Sequence, residues 1–239
     1  MYADLRNKLL GRLPNHEWLQ LKEHAELAPL AVGDVIYEPG KPIEYVYFPE
    51  TGIISLLAEV DEQQLIEVAT VGNEGFVGMP VMHDLKVTSG HAFVQASGMA
   101  FVIQSAAFRK CLRELPEFRS LLNRYAEALF CQIAQTAACN STHSIEQRCA
   151  RWLLLSQDRM NGNEASLREA FVSQMLGTSR TESRKVLKVL EDKKLISLGS
   201  DLITVTDRAG LEDVTCSCYD IVRQTFNKYL NNGSLFAKR

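Results

Sequence analysis

The chain has no cysteine before position 111, no CxxC pair anywhere, and no apolar run approaching the roughly 20 residues that span a bilayer. Its six cysteines stand at 111, 131, 139, 149, 216 and 218. Cys216-Ser217-Cys218 is tighter than the usual zinc-knuckle spacing, so all six read as reduced thiols and no metal is expected. Met1-Tyr2-Ala3-Asp4 begins no signal peptide, which together with the missing apolar run points to a soluble, cytoplasmic protein with no membrane partner. Catalytic signatures are also missing. There is no P-loop, GxSxG, HExxH or GxGxxG, and the carboxylates of the N-terminal half are scattered over turn signals, so no catalytic residues and no enzyme activity are expected.

An excess of one charge is lacking too: 26 Lys+Arg stand against 29 Asp+Glu, a net charge of −3. That near-neutrality hides an asymmetry. Residues 1 to 110 hold 8 Lys+Arg against 14 Asp+Glu, whereas residues 148 to 194 hold 10 against 6. A nucleic-acid partner is therefore not excluded by the overall charge, and the basic stretch is where to look for it. With 239 residues, 46% hydrophobic and 23% charged, the chain has the composition of globular protein with room for two domains.

Within the basic stretch, Ser166 to Ser197 reads as helix, tight turn, helix and short strand. Ser166-Leu167-Arg168-Glu169 has capping-box spacing and announces the first helix, with Leu167, Ala170, Phe171 and Leu176 on its buried face; Gly177 supplies the φ > 0 residue where it stops. Thr178 or Ser179 caps the second, and Ser179-Arg180-Thr181-Glu182 repeats the spacing. Val186, Leu187, Val189 and Leu190 form its apolar side. Arg180, Thr181, Arg184, Lys185 and Lys188 fall on one opposite stripe. Arg can hold guanine O6 and N7 bidentately, and Lys, Ser and Thr reach phosphates or base edges, so the stripe suits the major groove of double-stranded DNA. Lys193-Lys194-Leu195-Ile196-Ser197, a Gly199-Ser200-Asp201 turn and Leu202-Ile203-Thr204-Val205 then read as a two-stranded wing. An ordinary solvated helix face is the plainer explanation of such a stripe; the wing argues against it.

The first half changes period. Residues 3 to 27 suggest short amphipathic helices broken at Pro14. From Leu30, β-prone runs alternate with turns: Val35-Ile36-Tyr37, Tyr45-Val46-Tyr47-Phe48, Gly52 to Leu57, Leu65 to Ala69, His91 to Ala96 and Met99 to Ile103, with turns at Gly33-Asp34, Pro39-Gly40, Pro49, Asp61-Glu62 and Gly72-Asn73. That spacing predicts a sandwich, barrel or jelly roll. Residues 117 to 141 contain no Gly or Pro, and Leu122, Tyr125, Leu129, Gln132, Thr136 and Cys139 follow alternating three- and four-residue steps. Such a seam suits either a two-fold dimer interface or a core helix laid on the β-module. Ser144-Ile145-Glu146-Gln147 caps a further helix, and Asp207 begins a helical extension over residues 207 to 231.

This order, with the segment Leu176 to Glu191 followed by Lys194-Leu195-Ile196, resembles the Crp/Fnr family of bacterial transcription regulators over nearly the whole chain. The resemblance implies an α+β chain. Residues 1–116 would form an antiparallel β-roll of the jelly-roll, cyclic-nucleotide-binding-like type, 117–141 a dimerisation helix contacting its twin through Leu122, Tyr125, Leu129, Gln132 and Thr136, and 142–239 a winged helix-turn-helix domain. It implies a homodimer on a palindromic operator, RNA polymerase as a further partner, and DNA contacts from Thr178, Ser179, Arg180, Thr181, Arg184, Lys185 and Lys188. Of the family's base-contacting positions only Arg180 matches outright. Thr181 stands where the family has an acidic residue and Lys185 where it has Arg, so the half-site sequence should differ.

Val71 to Pro80 resembles the family's phosphate-binding cassette, whose backbone amides and nearby Arg hold a cyclic phosphate. The expected effector pocket is Gly72, Glu74, Gly75, Gly78, Met79, Gly90 and His91. Met79 replaces the ribose-binding Glu and Gly90-His91 the phosphate-binding Arg pair. Losing such an Arg costs about 2 to 5 kcal/mol, so no cAMP response is expected, and the roll either takes another small molecule or is structural. The iron-sulfur members use N-terminal cysteines, which this chain lacks. Haem needs a single axial His, for which His16, His24, His83, His91 and His143 are unsupported candidates, so no cofactor is expected. A second functional reading is a small-molecule-sensing or protein-interaction module whose winged helix contacts protein.

Overall fold

Short β-prone runs cut by Gly, Pro and Asp turns fold here into two antiparallel sheets. The computed structural model describes residues 5–61, 64–160, 167–200 and 202–231. Strands β1 (Ala25–Leu30), β7 (Gly98–Gln104) and β3 (Tyr45–Pro49) form one sheet in the order β1-β7-β3. Strands β2 (Val35–Tyr37), β6 (His91–Ala96), β4 (Ile53–Asp61) and β5 (Gln64–Val71) form the other in the order β2-β6-β4-β5. Between them Phe48 and Phe76 stack with ring centroids 5.4 Å apart, joined by Phe108 and Phe118. Helix α1 (Asn15–Lys22) follows Pro14, and a single turn, α2 (Met79–Met82), follows Gly78 at φ 124. Helix α3 (Ser105–Glu114) returns from β7 and buries Phe108, Cys111 and Leu112.

Helix α4 (Pro116–Thr142) starts as its sequence predicts. Leu115 is held extended before Pro116, which occupies the first helical turn. Two of the amides left without helical partners there are taken by a buried acid from α1: Glu17 accepts from Glu117 N at 3.0 Å and Phe118 N at 2.7 Å. The helix ends at His143, and Ser144 opens α5 (Ile145–Arg159) with a complete capping box to Gln147.

The second half comprises β8 (Leu167–Arg168), α6 (Glu169–Leu176), α7 (Arg180–Asp192), β9 (Ile196–Leu198), β10 (Leu202–Val205), α8 (Arg208–Val214) and α9 (Cys218–Asn231). Asp207 caps α8 by accepting from Gly210 N. Thr215 to Ser217 separate α8 from α9, and α9 lies on α4, where Phe226 approaches Tyr125 with ring centroids 6.1 Å apart. The first helix of the helix-turn-helix leans on the roll: Phe171 of α6 meets Phe93 of β6 at 5.3 Å, and Ser55 of β4 contacts Met175.

Two expectations change. Residues 25 to 27 are not helical, because Ala25–Leu30 pairs with β7 from Ala25↔Ile103 onward. Leu167 and Arg168 are not the first turn of α6. They pair with Ile203 and Leu202, which makes the wing a three-stranded sheet in the order β8-β10-β9. Helix α3 had no counterpart in the sequence reading. The Ser166 cap, Glu62 of the Asp61-Glu62 turn and Asp201 of the wing turn lie outside the described residues. No helix among the described residues is long and apolar enough to cross a membrane.

Candidate nucleic-acid interface and sensor cassette

The turn between α6 and α7 is built by one glycine. Gly177 sits at φ 59, ψ 44, and the amides of Gly177 and Thr178 return to Gln174 O and Ser173 O at 3.4 and 2.9 Å. That is the Schellman closure, and it needs a left-handed residue. Ser179 then caps α7 by accepting from Glu182 N at 3.2 Å. The Glu182 carboxylate is held below its ordinary range, chiefly by the Thr178 hydroxyl, which donates to it at 2.6 Å.

Ser183, Val186, Leu187 and Leu190 bury one side of α7. Arg180, Thr181, Arg184, Lys185 and Lys188 are all exposed, as is the capping Ser179, while Thr178 is half-buried. Val189, expected on the apolar side, is 41% exposed. Two of the cations are already engaged: Arg184 Nε lies 3.5 Å from Glu169, and Lys188 Nζ lies 2.9 Å from Glu191 and 3.4 Å from Asp192. Those carboxylates raise the Lys188 ammonium above its ordinary pKa, Glu191 first. Arg180 and Lys185 have no ion pair among the described residues. The stripe is thus a continuous cationic surface with two unengaged heads, suited to phosphates and purine edges.

The cassette residues come together differently. Gly72, Glu74, Gly75 and Gly78 are buried, whereas Met79, Gly90 and His91 are half-buried. Gly72 N donates to the Glu74 carboxylate at 3.2 and 3.3 Å, Gly75 N donates to Gly72 O at 3.1 Å, and Val77 N donates to Tyr47 O at 2.8 Å. Three amides of the loop are therefore turned to internal acceptors. Glu74 in turn receives Arg159 Nε of α5 at 2.7 Å, both side chains being buried. Arg159 also donates to Gln132 Oε1 of α4 at 2.9 Å and to Leu155 O at 3.0 Å, and Gln132 donates to Thr70 O at 3.2 Å. Close approach explains two glycines: a Cβ on Gly72 would stand 2.6 Å from Arg159 Cβ, and one on Gly75 would stand 2.2 Å from Tyr125 Oη. An open cleft of about 270 Å³ borders this network, lined by Lys8, Glu74, Arg159, Arg208, Arg223 and Phe226 among others. The sequence reading missed Arg159, one of several charges on α5, which nothing local set apart from the others.

Of the seam proposed for contact between copies, Leu122, Tyr125, Leu129 and Gln132 are buried inside the single chain and Thr136 is half-buried. The open side of α4 is a parallel stripe: Asn123, Glu127, Phe130, Ala134, Ala137 and Ser141, again in steps of four and three. Phe130 is 65% exposed at its centre.

Comparison with known proteins places this geometry. Residues 147–214 match the model of the Crp-like helix-turn-helix domain. No curated protein matches the chain. Among solved structures, a transcriptional regulator of the Crp/Fnr family from Eubacterium rectale is 14% identical with a TM-score of 0.65, the match covering 86% of this chain and 96% of that one. A CRP-family transcriptional regulator from Thermus thermophilus is 18% identical with a TM-score of 0.64, over 78% and 95% of the two chains. The c-di-GMP-responsive global regulator of Xanthomonas campestris is 15% identical with a TM-score of 0.63, over 80% and 99%. At these identities the likeness is one of fold.

Proposed function

From a fold shared with Crp/Fnr regulators and the match of residues 147–214 to the Crp-like helix-turn-helix domain, we propose that the chain is a Crp/Fnr-type transcription regulator, two copies of which bind a palindromic operator without cyclic nucleotide. One α7 enters the major groove of each half-site, and the wing flanks the phosphates. The observation that carries this is the exposed stripe Arg180, Arg184, Lys185 and Lys188, set on a helix whose opposite side is buried. The contact between copies uses the open stripe of α4 centred on Phe130, since the other seam is already buried beneath α9 and on β5. In this reading the protein works in the cytoplasm and meets RNA polymerase on the promoter.

Independence from cAMP is supported by the cassette. Gly72 N is taken by Glu74, whose carboxylate repels a second anion there, and neither Met79 nor Gly90 supplies a polar anchor. Selection of duplexes from random sequence tests the reading: an enriched inverted repeat is expected, with affinity unchanged by cAMP. Recovery of no repeat would defeat it, and a protein partner retained after neutralising both Arg180 and Arg184 would favour a protein-contacting winged helix instead.

A further inference from the structure

The six cysteines, read one by one as reduced thiols, are not scattered in the fold. Cys139 on the last turn of α4, Cys216 in the α8–α9 loop and Cys218 at the start of α9 form a small buried cluster of their own, apart from the main core. Their exposures are 0, 5 and 1%. His143, half-buried, stands one helical turn after Cys139 and so on the same face. Cys139 Sγ lies 3.5 Å from Cys216 Sγ, and Cys218 Sγ lies 3.6 Å from His143 Nδ1. All four ligand atoms fall within 4.8 Å of one another. We propose that Cys139, His143, Cys216 and Cys218 form a tetrahedral Cys3His site for a single zinc ion.

The spacing suits one ion. Zinc–sulfur and zinc–nitrogen bonds of about 2.3 and 2.0–2.1 Å at tetrahedral angles separate two thiolates by roughly 3.8 Å, and a thiolate from an imidazole nitrogen by roughly 3.5 Å. A cluster of two irons would need its ligands further apart. Three sulfurs with one imidazole are a donor set that selects zinc over hard cations. The surroundings also fit a bound thiolate: Gln135 Nε2 of α4 donates to Cys218 Sγ at 3.0 Å, which is an outer-shell hydrogen bond to a ligand. Burial pushes the Cys139 thiol up and Arg151 offsets this only in part, so it is the cation that must draw the thiolates out, three of them with one neutral imidazole and Zn²⁺ carrying a single negative charge. On binding, three thiol protons leave to solvent and the imidazole coordinates through its unprotonated nitrogen. The Thr142 hydroxyl, 3.2 Å from His143 Nδ1, keeps its bond to Ala138 O at 2.8 Å and only gives up its contact with the ring.

Four protein ligands leave no open position, so the site is structural. Its place in the fold gives it a specific task. His143 lies in the two-residue joint between α4 and α5, and Cys218 opens α9, so the ion fastens α9 to the joint between the long helix and the helix-turn-helix half. The usual sequence signal was absent because Cys216 and Cys218 lie only two apart and their partners come some 75 residues earlier.

Elemental analysis of the full-length chain purified in reductant, with Co²⁺ titration after chelator treatment, tests the site. One zinc per chain is expected, and Co²⁺ should show the thiolate charge-transfer bands and visible absorption of tetrahedral coordination. Cys216→Ser, which removes a ligand, should weaken metal binding by more than the about 10- to 100-fold that loss of an outer-shell partner costs, while Cys131→Ser, outside the cluster, should leave it unchanged. The unsubstituted chain alone decides the matter should a variant fail to fold: metal well below one equivalent together with a six-coordinate Co²⁺ spectrum overturns the proposal. A metal-free chain with a Cys139–Cys216 disulfide in peptide mapping overturns it too, and assigns that pair to redox chemistry.

Discussion

Arg180 and Lys185 project from α7 without an ion pair among the described residues, whereas Arg184 and Lys188 are drawn toward Glu169 and Glu191. In the proposed docking the unengaged heads are the better base readers, because a cation already partnered must exchange one bond for another. Arg180→Ala should weaken specific binding by about 1 to 3 kcal/mol and relax one base position in a selection experiment. Lys188→Ala should instead weaken all sequences alike and lower the slope of affinity against salt by about one. The buried Arg159–Glu74 pair obeys different physics. Arg159→Met leaves the Glu74 carboxylate buried with, among the described residues, only the Gly72 amide as a hydrogen-bond partner, which should cost about 3 to 5 kcal/mol in urea unfolding. The double change with Glu74→Gln should cost much less, since no charge is then stranded. Nothing in the sequence announced this pair: Glu74 sat in a motif that suggested a ligand, and its actual partner lies 85 residues away.

Among the elements, those with their own start and stop signals were readable: α4 from Pro116, α5 from its capping box, and α7 between Gly177 and its apolar face. Elements made by distant pairing were not. Leu167 and Arg168 follow a helical pattern yet join the wing, because β10 offers them a strand edge. Helix α4 shows the limit most clearly. Two of its faces repeat with the same steps of three and four, and periodicity alone cannot tell which one meets a neighbour. The answer comes from α9, whose Phe226 lies 101 residues after Tyr125 and covers the face that bears it. The remaining stripe predicts that Phe130→Asp will shift the protein toward monomer in light scattering at unchanged circular dichroism, because Phe130 supports no contact within the chain's core.

On the scale of the whole molecule, roll and DNA-binding half share a buried seam. Glu67 of β5 accepts from Ser55 at 2.8 Å there, and burial raises its carboxyl from the ordinary value near 4.5 to about 8, against the opposing pull of the Ser55 hydrogen bond, Arg159 and Arg151. The folded state therefore favours the protonated form. Below pH about 4.5 both folded and unfolded chains hold the proton and the full stability is present; it is lost as pH rises toward 8, where the folded carboxyl also ionises. Glu67→Gln, which keeps an acceptor for Ser55, should raise the melting temperature more at pH 8 than at pH 5. Equal shifts at both values would show that the acid is not protonated in the fold. The exposed cationic stripe was readable because α7 presents it locally, one helix with one cap. The seam was not, since each of its members comes from a different part of the chain.

The contact of Phe171 with Phe93 acts as a ruler. It fixes where α6, and with it α7, hangs from the four-stranded sheet, so in the proposed pair the distance between the two reading helices is set by the roll. Palindrome halves lie about 34 Å apart, one turn of the duplex. One inserted base pair would move a half-site by about 3.4 Å and turn it around the DNA axis, which a jointed arm would tolerate and this one would not. Under the proposed function, operators should therefore vary more freely in base sequence than in the length of their spacer.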